Sequence, residues 1–137
     1  YKRQVLNISE AASLALHSMA LLASRQGRPQ SVKVLATKIG ASEHHLAKVL
    51  QRLSHAGLVR ARRGPGGGFE LALPAGEITL LDVFETIDGP LRPTDCLMGS
   101  PECMGEVCIL GDLLVSINRT VERHLASTRL AEFEGVY

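Results

Sequence analysis

The chain of 137 residues has no tryptophan, two tyrosines and three phenylalanines. Sheets favour aromatic and β-branched side chains, so this scarcity argues against an all-β core. In their place stand 21 leucines, an apolar mass of the kind that packs helices. No run of 18 apolar residues occurs, and the opening Tyr1-Lys2-Arg3-Gln4 lacks the apolar centre of a secretion signal. Membrane spans and export are therefore disfavoured, and a cytoplasmic location is expected. Cysteine is scarce too: Cys96, Cys103 and Cys108 are the only three. An odd count without a secretion signal argues against a disulfide framework and for thiolate chemistry or metal ligation in a reducing compartment. No recognisable nucleophile motif joins serine, histidine and carboxylate, so the sequence does not read as an enzyme.

The net charge of +1 hides a division along the chain. Residues 1–74 carry 11 Lys or Arg against 3 Asp or Glu, whereas residues 75–137 carry 4 against 11. A basic module of this size points to nucleic acid or an anionic surface.

The basic half reads as helices. From Ile8 to Ala23 apolar residues recur at steps of three and four, with Ser9 able to cap the start. Pro29 blocks continuation, and Ser31 opens a short helix over Val32 to Ile39 that Gly40 closes. A further helix starts at Ser42, turns Leu46, Val49, Leu50 and Leu53 inward, and stops at Gly57. A short and a longer helix across a three-residue turn form a helix-turn-helix unit. Ala36 is small enough for a close crossing, and Gly40 can take the left-handed turn conformation. The outward set of the second helix is Glu43, His44, His45, Lys48, Gln51, Arg52 and His55. Adjacent histidines point about 100° apart on a helix and chelate one ion poorly, which favours base or phosphate contacts over a metal site.

After Gly57 the period changes to two. Leu58–Arg62 reads as a strand, Arg63-Gly64-Pro65-Gly66-Gly67-Gly68 as a turn and Phe69–Leu73 as the returning strand. A hairpin directly behind a recognition helix is the wing of a winged helix, where Arg60, Arg62 and Arg63 can neutralise phosphates. The fold class expected is thus mainly α with a small β-hairpin wing.

In the acidic half, Thr79-Leu80-Leu81-Asp82 matches a capping box ahead of a helix that ends at Asp88-Gly89-Pro90. Residues 91–109 turn to Pro, Gly, Cys and Met and read as a loop. From residue 110 onward, Leu110, Leu114, Ile117, Val121 and Leu125 trace a long amphipathic helix. It has too little partner surface within one chain, so a homodimer is expected, with two recognition helices set for two half-sites on a double-stranded operator. The division read is 1–90 as the DNA-binding domain, 91–109 as the cysteine loop and 110–137 as the dimerisation segment. The thiol spacing is Cys96-x6-Cys103-x4-Cys108. Zinc usually draws C-x2-C pairs, and none is present. An iron-sulfur cluster tolerates wider loops but normally takes four ligands, leaving one position to fill. A metal-free redox pair is the other option.

Taken together, Gly57-Leu58-Val59, then Arg63-Gly64-Pro65-Gly66-Gly67-Gly68-Phe69, then Ile78-Thr79, then three cysteines ahead of a long helix resemble the IscR and NsrR family. These are winged-helix iron-sulfur regulators, also called the Rrf-two type, and the similarity runs from about Ile8 to Phe133. The resemblance implies a homodimeric transcription regulator, a repressor in the first instance, with the cluster loop near the partner's DNA-binding domain. It matches Ser42, the exposed face from His44 to Arg52, Arg63 and Gly67 to DNA-contacting positions, and Cys96, Cys103 and Cys108 to cluster ligands. The cluster implied is 2Fe-2S, with 4Fe-4S as the alternative. Where many relatives carry a histidine three residues after the last cysteine this chain has Gly111, and where others carry a carboxylate in the first helix it has Ser13. His17, one turn later, is the first candidate for the fourth ligand, followed by Glu10 and Asp112. A cluster-free regulator that senses thiol oxidation, and a small iron-sulfur electron carrier, are the alternatives.

Overall fold

The computed structural model describes residues 8–92 and 107–137. Helix α1 (Glu10–Ser24) buries nine of its residues, including Ala12, Leu14, Ala15, Met19 and Leu22. A helix apolar on most of its circumference must be enclosed. Accordingly the helices Glu43–His55 and Leu80–Asp88, the strand Gly68–Leu71 and the turn Leu130–Phe133 all pack on α1. Helices α2 (Val32–Ile39) and α3 (Glu43–His55) follow, joined through Gly40 at φ 78°. That left-handed conformation is the reason for glycine, and its amide donates to the Ala36 carbonyl at 2.8 Å.

Side-chain caps set the helix starts. The hydroxyls of Ser9, Ser31 and Ser42 accept from the amides of Ala12, Val34 and His45 at 3.0, 3.1 and 3.0 Å. Each such cap contributes about 1 kcal/mol. Helix α4 (Leu80–Asp88) has the reciprocal version, Asp82 N–H to Thr79 Oγ1 at 3.1 Å and Thr79 N–H to the Asp82 carboxylate at 3.0 Å.

Strands β1 (Val59–Arg62) and β2 (Gly68–Leu71) pair antiparallel, with Val59 opposite Leu71 and Arg62 opposite Gly68. The returning strand is thus shorter than the sequence pattern suggests, because the chain bends away after Leu71. Gln30, in the connection between α1 and α2, adds a third rung. It exchanges two backbone hydrogen bonds with Phe69, both of 2.8 Å. Gly68 permits this approach: a Cβ there would run into the Gln30 backbone, and its φ of +150° disfavours other residues. The wing is therefore tied by main chain to the base of the helix-turn-helix.

Helix α5 (Leu113–Ser127) begins three residues later than the apolar stripe suggests, after a turn containing Gly111 at φ 58°. The end of its stripe enters the common core, where Leu125 is buried with Val121 packed against it, while beside the stripe Leu113 is 51% exposed and Val115 40%. Beyond α5 the chain is stitched to the segment before α4: Leu80 N–H donates to the Thr128 carbonyl at 3.0 Å and Leu130 N–H to the Ile78 carbonyl at 2.9 Å. Leu130, on a short 3-10 turn (Leu130–Phe133), is fully buried. Residues 128–133 therefore belong to the same core as α1. Replacing Leu130 with Ala should cost about 2–5 kcal/mol, the range for emptying such a site, seen as a lower urea midpoint. An unchanged midpoint would show that the C-terminal turn lies outside the cooperative unit.

Candidate nucleic-acid interface

With Leu46, Val49, Leu50 and Leu53 buried, the opposite side of α3 is fixed by helical geometry. His44, Lys48, Gln51 and His55 recur at steps of four, three and four and are all exposed, forming its outermost ridge. His45 is half-buried on the flank. Ser42 is committed as the N-cap through its oxygen, which leaves its hydroxyl hydrogen to donate outward. A helix N-terminus with free amides and a donating serine is a favourable place for a phosphate. Arg52, expected among the contacts, points elsewhere: its Nη2 donates to the Ile87 carbonyl at the end of α4, 2.6 Å away.

The wing carries three arginines in different states. Arg60 sits directly opposite Glu70 in the ladder and bonds its Oε1 at 2.9 Å, while Arg62 lies 3.7 Å from Oε2. The Glu70 side chain is 11% exposed, so two largely exposed guanidinium groups share one sheltered carboxylate. Such pairs stabilise little, but they lower the charge that this face offers to DNA. Arg63, at the start of the turn, makes no hydrogen bond or ion pair among the described residues and keeps its full charge outward. Gly67 has a local reason to be glycine: a Cβ there would collide with the Arg62 carbonyl and lie 2.8 Å from that of Gly64. The Glu70 partnership was missed in the sequence reading, although the hairpin register alone places Glu70 opposite Arg60.

Of the thiol set, Cys108 is described and exposed, in the turn ahead of α5. Cys96 and Cys103 lie outside the described residues. His17 is exposed on α1, and its Nδ1 is 2.7 Å from the Ser13 carbonyl. A carbonyl only accepts, so Nδ1 is the donor in this contact, with Ser13 Oγ 3.5 Å from the same nitrogen, and Nε2 is the ring atom left for another partner. Ser13, Leu14, His17, Leu21, Arg25, Lys38 and Ile39, with Tyr137, line an open cleft of about 590 Å³. Glu10 in the first turn of α1 and Asp112 just before α5 are both exposed. Among the described residues, no three His, Cys, Asp or Glu side chains come together as a metal site.

A family model described as Rrf2, iron-dependent transcriptional regulator, matches residues 8–134. The chain belongs to the Rrf2 family. Among its relatives, the HTH-type transcriptional regulator Rv1287 of Mycobacterium tuberculosis is 33% identical over 132 residues, covering 95% of this chain and 82% of that protein. The HTH-type regulator CymR of Bacillus subtilis is 31% identical over 128 residues, covering 93% and 88%. The solved structure of B. subtilis CymR, called the global cysteine regulator, superposes with a TM-score of 0.80 at 30% identity over 97% of this chain and 99% of that one. IscR of T. potens superposes at 0.70 and 25% identity, covering 93% and 85%. This Rrf2 chain is thus a winged-helix, DNA-binding transcriptional regulator, not an enzyme. No helix among its described residues is long and apolar enough to cross a membrane.

Arg63→Ala should weaken duplex binding and flatten the plot of log K against log salt by about one unit, the value for one phosphate. An unchanged slope would remove Arg63 from the interface. Replacing Glu70 with Gln removes the shared carboxylate charge and should raise non-specific duplex affinity at low salt. Lower affinity would mean instead that Glu70 orders the two arginines for contact.

Proposed function

We propose that this chain is a homodimeric repressor whose grip on an operator is set by an iron-sulfur cluster on Cys96, Cys103 and Cys108, with His17 as fourth ligand. DNA is met by Ser42, the ridge His44, Lys48 and Gln51, and the wing at Arg60, Arg62, Arg63 and Gly67, with His45 at the flank. The observation that carries the cluster assignment is the lock on His17. Its Nδ1–H is spent on the Ser13 carbonyl, so the ring is oriented and Nε2 is the free ligand atom. Three thiolates and one imidazole are a donor set suited to an iron-sulfur group, 2Fe-2S in the first instance and 4Fe-4S as the alternative. When bound, such a group supplies a centre that responds to oxidants, nitric oxide or iron supply.

The dimer reading rests on the apolar side chains at the start of α5. Val107 and Ile109 are 82% and 91% exposed and continue into Leu113 and Val115. So many bulky apolar residues in one short stretch call for a partner surface, and a second copy would satisfy them by symmetry. A cytoplasmic location follows from the reducing compartment that free thiolates need.

A second reading keeps the regulator and drops the cluster. It is favoured by the likeness to CymR, called a cysteine regulator, and by a solved Staphylococcus aureus CymR described as an oxidized form, 26% identical with a TM-score of 0.75. In that reading oxidation of the thiols themselves is the signal.

An anaerobic absorption spectrum, with iron and acid-labile sulfide assayed on the same sample, separates the two. Visible charge-transfer bands with matched iron and sulfide are expected, lost in Cys103→Ala and weakened or shifted in His17→Ala. A protein still colourless after anaerobic reconstitution would leave the thiol reading. A fully loaded Cys103→Ala variant would overturn the ligand set.

A further inference from the structure

Arg52 stands apart from the other cations of the recognition helix. At about 100° per residue, the ridge of His44, Lys48, Gln51 and His55 centres roughly 70° away from it around the α3 axis. The Arg52 side chain lies over the seam between α3 and α4 and donates from Nη2 to the Ile87 carbonyl at 2.6 Å. That carbonyl lies in the last turn of α4, where main-chain acceptors have no partner within the helix. A cation there also meets the negative end of the helix dipole. The same turn is held from a second side. The Asp88 carboxylate accepts from the Ser9 hydroxyl and, at 3.3 Å, from the Ser9 amide at the start of α1. Gly89 N–H closes the turn on the Glu85 carbonyl at 2.9 Å. The end of α4 is thus a junction at which α1 and α3 are both fixed by polar bonds, beyond the apolar packing among the three helices.

We propose that Arg52 is a positioning residue: it sets the angle of the recognition helix against α4 and does not neutralise a phosphate. The proposal rests on the DNA-binding reading of α3. It assigns the charge a role that composition and exposure conceal, since Arg52 is solvent-exposed on a helix that meets DNA. It also makes α4 part of the DNA-reading apparatus although α4 carries none of the predicted contacts. A displacement of the α4 end would reach the bases through the Arg52 bond. In sequence that end lies eight residues before Cys96.

The test compares wild type, Arg52→Ala, Arg52→Gln and Arg63→Ala, using a duplex selected by the wild-type protein from a random-sequence pool. Binding is measured between 50 and 300 mM salt, and amide hydrogen exchange is followed in the free proteins. Arg52→Ala should lose affinity on the order of tenfold with the wild-type salt slope, since a bond is lost but no phosphate contact. Arg63→Ala should shift the slope. Arg52→Gln keeps a donor without the charge and should fall between, again with the wild-type slope. It also serves if the alanine variant melts. In both Arg52 variants the Gly89 amide should exchange faster, a readout that needs no DNA. A slope flattened by about one unit would overturn the proposal and return Arg52 to the phosphate contacts while leaving the regulator intact. Unchanged affinity, or unchanged exchange at Gly89, would overturn it as well. Failure of the wild-type protein to select any duplex would count against the DNA-binding reading, and exchange at Gly89 would still decide the role of Arg52.

Discussion

Helix α1 has almost no side that can face water, and the other elements are placed by the need to enclose it. Its small residues, Ala12, Ala15, Ala20 and Ala23, are all buried and let neighbouring main chains come close. Met19 and Leu22 fill the remaining volume, and Leu35, Leu46, Leu50, Leu53, Val83 and Leu130 complete the same core. The helix-turn-helix is consequently not a free-standing pair of helices. It is one wall of an enclosure whose others are α4, the wing and the C-terminal turn. Packing of this density transmits displacement instead of absorbing it, which suits a module whose output is the angle of one helix.

The charge pattern is read differently once the wing is seen in register. The basic half has a large excess of cations by count, yet the geometry offsets or occupies some of them. Arg60 and Arg62 share Glu70, and Arg52 is spent on a helix end. Lys48 on the ridge and Arg63 at the wing turn keep an uncompensated charge, while Arg60 and Arg62, still largely exposed, offer theirs partly offset by Glu70. Affinity then rests on fewer phosphate contacts than the net charge suggests, and specificity on the uncharged and weakly basic members of the ridge.

Much of this was legible in the sequence because the signals are local. Ser9, Ser31, Ser42 and Thr79 announce the helix starts by cap chemistry, and Gly40 announces the turn, since both depend on a few consecutive residues. The hairpin was legible from its alternation and glycine run, and the winged-helix class followed. What escaped depends on pairs far apart in the chain. Nothing near Arg52 signals Ile87, 35 residues away. Nothing near Gln30 signals Phe69, and nothing near Leu130 signals Ile78. Periodicity predicted the stripe of α5 but not the exposed Leu113 and Val115 beside it, because a stripe says nothing of the apolar residues that lie off it. At the candidate site, the ridge of α3 followed from its buried face. The tautomer lock on His17 needed coordinates, and Cys96 and Cys103 lie outside the described residues.

The stitch between residues 78–80 and 128–130 also governs how the protein comes into being. Synthesis proceeds from the N-terminus, so α1 through α4 leave the ribosome before the turn that carries Leu130 exists. Until then one flank of α1 has no cover, and the nascent winged helix presents leucine and alanine to water. Residues 128–133 therefore close the core after the DNA-reading elements have been made, and a chain that stops short of Leu130 lacks the side chain that seals that flank of α1.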